Sequence, residues 1–155
     1  MAPIYREKQK TYLIVVGIYI IVALFLLSLI FLPGLFNFSE ASLPTKVVLI
    51  IITVVDLILF WSFAELKVKL TFDALEFGFG IFRKKLPLRE VKSCLIEDYD
   101  IKRYSGYGIR LGSDKSIGYV ARSGRGVRLK TAGRDYFLTS DSPEQLCAEL
   151  SRRIL

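Results

Sequence analysis

The sequence predicts an α+β membrane protein in which an N-terminal transmembrane helical hairpin precedes a small antiparallel β-barrel or sandwich closed by a C-terminal α-helix. Three observations predict it. Two apolar runs, Tyr12 to Leu32 and Val47 to Phe63, carry one acidic or basic side chain between them, Asp56. After them the apolar period changes to two. The last segment returns to a helical stripe behind a proline-marked start.

A spanning helix needs roughly 20 mostly apolar residues, and both runs meet that length. The spans are placed at about 12–32 and 46–65, which divides the chain into a hairpin, residues 1–66, and a soluble domain, residues 67–155. Arg6, Lys8 and Lys10 ahead of the first run resemble the start of a signal peptide. A signal core is only about 7 to 15 residues long and ends in a small-residue cleavage site, so a retained anchor is the better reading. Asn37-Phe38-Ser39 fits a glycosylation sequon, but three residues match by chance often and nothing is built on it.

Lys and Arg near span ends are kept preferentially on the cytoplasmic side. Arg6, Lys8 and Lys10 precede the first span, Lys67 and Lys69 follow the second, and the connecting loop has only Lys46 at its edge. Both termini of a multi-pass protein of the cell membrane are therefore expected in the cytoplasm. The formal net charge of +7 lies wholly after residue 66, because residues 1–66 balance Arg6, Lys8, Lys10 and Lys46 against Glu7, Glu40, Asp56 and Glu65. Basic residues near an anionic leaflet are each attracted by about 1 kcal/mol. Lys67, Lys69, Arg83, Lys84 and Lys85 are thus candidate contacts for anionic lipid headgroups or a protein partner. The alternative is ordinary positive-inside bias with solvated charges, since Arg and Lys are spread over most predicted strands.

The chain has no histidine, and its two cysteines, Cys94 and Cys147, form no C-x-x-C pair. Zinc sites draw on Cys and His at short spacing, and His is the commonest acid–base catalyst. No catalytic, metal or cofactor-binding residue is therefore assigned, and no cofactor is expected. In a cytoplasmic domain both thiols are expected reduced and buried. Glu97, Asp98 and Asp100 read as a charged turn before they read as a cation site.

Val68, Leu70 and Phe72 alternate with Lys67, Lys69 and Thr71, which predicts a half-buried strand. Asp73-Ala74 is a turn, and Leu75, Phe77, Phe79 and Ile81 mark the return strand of a hairpin. Further strands are expected at Lys85 to Leu88, Lys92 to Asp98, Tyr107 to Leu111, Ile117 to Ala121, Gly126 to Lys130 and Tyr136 to Thr139. Turn residues punctuate them: Ser113-Asp114, Ser123-Gly124 and Ala132-Gly133. Ser142 as N-cap, Pro143 at the first helical position and Gln145 form an S-x-x-Q capping box. Leu146, Leu150 and Ile154 then fall on one stripe with Cys147 beside them, and Arg152 and Arg153 suit the helix C-terminus.

The order of these pieces resembles the bacterial pleckstrin-homology-like (YdbS-like) membrane proteins. The resemblance is carried by the stretch Leu70 to Gly78, by Phe82 to Val91, by Gly106-Tyr107-Gly108-Ile109-Arg110, by Gly124 to Leu129 and by Ser140 to Leu146. It implies two spans followed by a PH-like domain of seven or so strands and a C-terminal helix. It implies a membrane-associated role and supplies no catalytic residue.

Gly106-Tyr107-Gly108 and Gly124-Arg125-Gly126 each contain G-x-G, yet neither completes G-x-G-x-x-G or precedes a helix, so tight turns are the better reading. From Lys102 to Lys130 the chain mixes Tyr104, Tyr107 and Tyr119 with Arg103, Arg110, Arg122, Arg125 and Arg128, a composition that also suits nucleic-acid grooves. Membrane tethering argues against nucleic acid. The expectation is tyrosines and arginines on the wet face, with Ile109, Leu111, Val127 and Leu129 inside.

A central Asp costs about 2.5 to 3.5 kcal/mol on the insertion scale, against about 0.3 to 0.6 gained from each surrounding Leu, Ile, Val or Phe. The span still inserts, and Asp56 needs a partner. Equal depth makes the Tyr19 hydroxyl the first candidate, within the hairpin or between subunits. Gly17 and Ser28 miss the spacing of a G-x-x-x-G dimer motif. Trp61 and Tyr12 lie where amphipathic rings anchor at the interface.

Taken together, these residues predict a non-enzymatic integral membrane protein. Its cytoplasmic domain is expected to act as a tethered interaction, regulatory or scaffolding subunit, with the bilayer and a membrane-protein partner or a second copy as its contacts. Two alternatives stand beside it: an accessory subunit of a transport complex using Asp56, and a surface module that binds anionic lipid.

Overall fold

The computed structural model describes residues 3–32, 34 and 42–154; the sequon Asn37-Phe38-Ser39 lies outside them. Two compact units result. One contains the residues from Leu13 to Ser62, and the other joins the N-terminal residues up to Tyr12 to everything from Phe63 onward. The expected division at residue 66 therefore differs from the observed one at both ends of the hairpin.

The first unit is two helices, α1 (Leu13–Phe31) and α2 (Leu43–Phe63). At 1.5 Å per residue they are about 28 and 31 Å long, the thickness of a bilayer core. Both are long and apolar enough to cross a membrane. Their apolar side chains are exposed on every side, with Leu13, Ile21, Leu24, Val48, Ile51 and Leu57 all open, so neither helix has a polar face of the kind a surface helix carries. Two of the hydroxyls are satisfied within their own helix, Ser28 donating to the Phe25 carbonyl and Thr53 to that of Leu49, whereas the buried Ser62 hydroxyl has no hydrogen-bond partner among the described residues.

The second unit holds two open sheets over one core. The first sheet runs β1 (Tyr5–Lys10), β2 (Glu65–Leu70), β3 (Ala74–Phe79), β4 (Phe82–Pro87), all antiparallel. The second contains β5 (Val91–Asp98), β6 (Gly108–Leu111), β7 (Ile117–Val120), β8 (Arg125–Thr131) and β9 (Tyr136–Thr139) in the order β5-β8-β9-β7-β6. Two α-helices, the single turn α3 (Ile101–Tyr104) and α4 (Pro143–Ser151), and a 3₁₀ turn at Leu88–Glu90 complete it. Of the barrel or sandwich expected, the sandwich is what forms. One pair in it, β7 with β9, is parallel.

Leu66, Val68 and Leu70 of β2 and Leu75, Phe77 and Phe79 of β3 point inward against Val127, Leu129 and Leu138 of the second sheet, with Leu146 and Leu150 of α4 closing the end. The Phe77 ring meets Tyr119 edge-on at 4.9 Å and Tyr136 at 5.5 Å, a favourable aromatic geometry. The other face of the second sheet carries a smaller cluster, Tyr104, Val120 and Phe137, extended by Tyr99 and Tyr107.

Several expectations need correction. β1 is the largest: residues foreseen as a charged flank pair along their whole length with β2, from Tyr5 opposite Leu70 to Lys10 opposite Glu65. Phe72 and Ile81 are exposed, because β2 stops at Leu70 and Gly80-Ile81 form the two-residue turn between β3 and β4. Leu111 is also exposed, while Tyr104 and Tyr119 are buried, so the tyrosines do not line a wet face. Ser142 is the N-cap residue of α4, yet its hydroxyl makes no capping hydrogen bond; its amide instead donates to the Ser140 hydroxyl. Cys94 on β5 and Cys147 on α4 are joined in a disulfide, with Cα atoms 5.6 Å apart, where two reduced thiols were expected. Cys94 faces the core at the place where α4 packs against β5.

Candidate functional site

Side chains alternate faces along a strand, and the registers of the first sheet sort its charges accordingly. Arg6 lies opposite Lys69, then Glu76, then Lys85; Lys8 lies opposite Lys67, then Gly78, then Arg83; Lys10 lies opposite Glu65. All these residues share the face turned away from the core, because Tyr5, Val68, Phe77 and Leu86 occupy the alternate positions and are buried. Of the five cations foreseen as contacts, Lys67, Lys69, Arg83 and Lys85 come together on this face. Lys84 does not: it stands opposite Phe77, on the core side of the edge strand β4. Period-two geometry splits Arg83-Lys84-Lys85, a run of three in sequence that is not one patch in space.

Arg6, Lys8 and Lys10 join the face through β1. Sequence reasoning missed them as members, because the residues that alternate with them after Tyr5, Glu7 and Gln9, are polar as well. Seven cations and two carboxylates, Glu65 and Glu76, thus share one sheet face. Glu65 is 3.7 Å from Lys67 and Glu76 is 3.7 Å from Lys85. Arg6, Lys8, Lys10 and Lys69 have no acidic partner within 4 Å among the described residues. A concavity of about 290 Å³ lies here, its charged lining formed by Arg6, Lys67, Lys69 and Arg83 together with Glu7 and Glu76.

Gly78 leaves a gap in the middle of this face. Its φ is +147°, and an added Cβ would lie 2.1 Å from the Phe82 carbonyl oxygen, so the turn into β4 demands glycine there. As a result nothing projects between Lys67 and Arg83.

The outer face of the second sheet is charged in a different way. Arg128 is nearly enclosed and reaches Asp114 at 2.8 Å and Asp135 at 3.1 Å, while Arg103 binds Glu97 at 3.0 Å. Burial alone would raise the Asp114 pKa, but hydrogen bonds from the Ser116 hydroxyl and amide and from Arg128 overcome it and bring the group down to about 2. Asp100 accepts from the Lys102 amide as the N-cap of α3. The acidic cluster Glu97, Asp98 and Asp100 is therefore engaged at two of its three members in ion pairing and capping. The G-x-G glycines Gly106, Gly108 and Gly124 all have positive φ, in keeping with turns.

In the helical unit, one carboxylate oxygen of Asp56, Oδ2, is buried without a hydrogen-bond partner among the described residues. The Tyr19 ring packs edge-on against Phe60 at 6.1 Å. Phe60 is one helical turn after Asp56, so Tyr19 lies along the stripe of α2 that bears the acid.

No family model matches this chain, and neither a curated protein nor a solved structure is significantly similar to it.

Proposed function

We propose that this chain is a non-enzymatic integral membrane protein whose two helices span the bilayer and whose β unit serves at the cytoplasmic surface as a tethered interaction or regulatory module. The pairing of β1 with β2 carries the reading. The two strands flank the whole helical hairpin, and Thr11 donates from its amide to the Ala64 carbonyl and from its hydroxyl to that of Phe63. Strands that pair must lie on one side of any membrane crossed between them, so two spans fit and one does not. The cations Lys10, Lys8 and Lys67 next to the spans favour the cytoplasmic side.

Its likeness to the bacterial PH-like membrane proteins draws support from strand order. With the β6–β7 hairpin set aside as an insertion, seven strands remain, four in one sheet and three in the other, followed by α4. The chain departs from that pattern in drawing β1 from before the first span and in the parallel β7–β9 pair. The disulfide makes an opposing demand, since such bonds persist in oxidising compartments. On the cytoplasmic side the bond would be open to reduction, and the compartment can be measured directly.

The test is alkaline extraction of native membranes with tags at both termini. The reading expects the chain to stay in the membrane and both tags to be reached only from the cytoplasmic side. Release by the wash, or tags on opposite sides, overturns it.

The orphan oxygen of Asp56 favours a second reading, an accessory subunit of an intramembrane transport assembly. A buried acceptor without a partner costs about 1 to 3 kcal/mol, and intramembrane carboxylates mark functional contacts by default. Loss of a stoichiometric partner in Asp56→Leu, but not in Asp56→Asn, would support it; the same partners in all three proteins would remove it.

A further inference from the structure

We propose that the outer face of the first sheet binds the phosphate groups of anionic lipid, centred on the row Lys8, Lys67 and Arg83 across the gap at Gly78. The proposal rests on the tethered reading above and adds a site to it. Neighbouring strands are about 4.8 Å apart. Lys67 and Arg83, two strands apart with glycine between them, therefore stand about 10 Å apart at their backbones, with room between their side chains for one phosphate. Lys8 adds a third cation from the far side of Lys67. Arg83 offers a planar fork suited to phosphate oxygens, and the lysines offer mobile point charges.

The occupant follows from charge and from reach. Cations exceed carboxylates by five on this face, and the two carboxylates are each matched to a lysine at 3.7 Å. An exposed pair at that distance is weak, so an incoming anion competes with it easily. Lys10 comes three residues before the first residue of α1, and Lys67 four after the last of α2. At about 3.3 Å per residue that is roughly 10 to 13 Å of chain, comparable with the Debye length of about 8 to 10 Å. The innermost rows thus cannot stray far from the headgroups, and a lipid phosphate is the anion always present at that distance. On the other side of the unit Arg103 and Arg128 are already committed to Glu97, Asp114 and Asp135, and the exposed Lys92 and Lys130 of the second sheet serve as the comparison.

The experiment reconstitutes the full chain in nanodiscs of equal phosphatidylglycerol and phosphatidylcholine, then measures by native mass spectrometry which lipid stays bound on release. Each cation near an anionic leaflet is worth about fivefold in partitioning. The wild type should retain phosphatidylglycerol at several times its share. The triple variant Lys8→Ala/Lys67→Ala/Arg83→Ala should lose that excess. Lys84→Ala and the second-sheet variant Lys92→Ala/Lys130→Ala should change it less than twofold, which separates this face from net charge. An equal loss in the second-sheet variant overturns the site, as does no excess in the wild type or displacement of the lipid by millimolar inorganic phosphate. Because every variant is scored while embedded in the disc, loss of the lipid excess leaves the tethered reading standing, whereas a chain that will not stay in the disc refutes that reading first.

Discussion

Glu7, in the N-terminal strand, accepts a 2.8 Å hydrogen bond from the hydroxyl of Ser140, 133 residues later in the chain. The same carboxylate accepts from the Tyr5 hydroxyl, the Gln9 amide and the backbone amide of Asp141. Burial, and then the hydrogen bond to Glu7, raise the Tyr5 pKa, so the phenol stays a donor at every physiological pH. A single acid on the inner face of β1 thus fastens the strand to the turn that leads into α4.

Glu7→Ala leaves these donors without their acceptor. Charge-assisted hydrogen bonds contribute about 1.5 to 3 kcal/mol, so a loss of about 2 kcal/mol is expected, with Glu7→Gln costing less. Hydrogen exchange should show β1 amides losing protection before those of β2. Equal loss across the whole unit would mean that β1 is not separately held.

Joining residues 53 apart in sequence removes about 4 kcal/mol of loop entropy from the unfolded chain. Denaturant unfolding with and without reductant should differ by up to that amount, and Cys147→Ala should match the reduced protein. Maleimide capture in intact cells would report whether the bond exists there. Labelling of both residues only after unfolding, without reductant, would show free buried thiols in the native compartment.

Asp114 supplies a pH dependence of known sign. Its folded pKa, about 2, lies below the unfolded value of about 3.9, so its contribution is full above about pH 4 and is lost as pH falls towards 2. Roughly a third of the side chain meets solvent, and screening reduces the effect to about 1 kcal/mol. Asp114→Asn should flatten the stability profile between pH 4 and 2 while leaving the slope above pH 5 unchanged.

Gly78→Ala places a methyl group against the Phe82 carbonyl oxygen at a backbone angle that L-residues avoid. A cost of about 2 kcal/mol or more is expected, read as a lower thermal midpoint. An unchanged midpoint would mean that the β3–β4 hairpin is looser than its register implies.

Where one period dominates, the fold was legible in advance. Both long apolar helices, the strands from Ile117 to Thr139 and the stripe of α4 follow from apolar spacing alone. β1 was not legible, because the residues on its inner face after Tyr5 are Glu7 and Gln9, polar groups that a strand hides only when partners from far away satisfy them. α3 is a single turn, too short for any period to appear. The partnering of Cys94 with Cys147 and of β7 with β9 joins distant segments, about which local pattern is silent. Of the basic site, alternation alone separates Lys84 from Arg83 and Lys85, whereas the membership of Arg6, Lys8 and Lys10 depended on knowing that β1 exists.

The position of β1 before α1 also sets the order in which the protein can be made. Lys10 leaves the ribosome 55 residues ahead of its partner Glu65, a wait of roughly 3 to 11 s at about 5 to 20 residues per second. Through that interval both hydrophobic helices are synthesised, and an edge-forming strand has nothing to pair with. Its three cations keep it soluble and discourage it from borrowing another chain's sheet. A nascent hairpin inserted the wrong way round would carry β1 and β2 to the opposite face together, and the β unit would then assemble there intact. If the two helices span a membrane as proposed, the pairing of β1 with β2 requires an even number of crossings between them and is indifferent to the side.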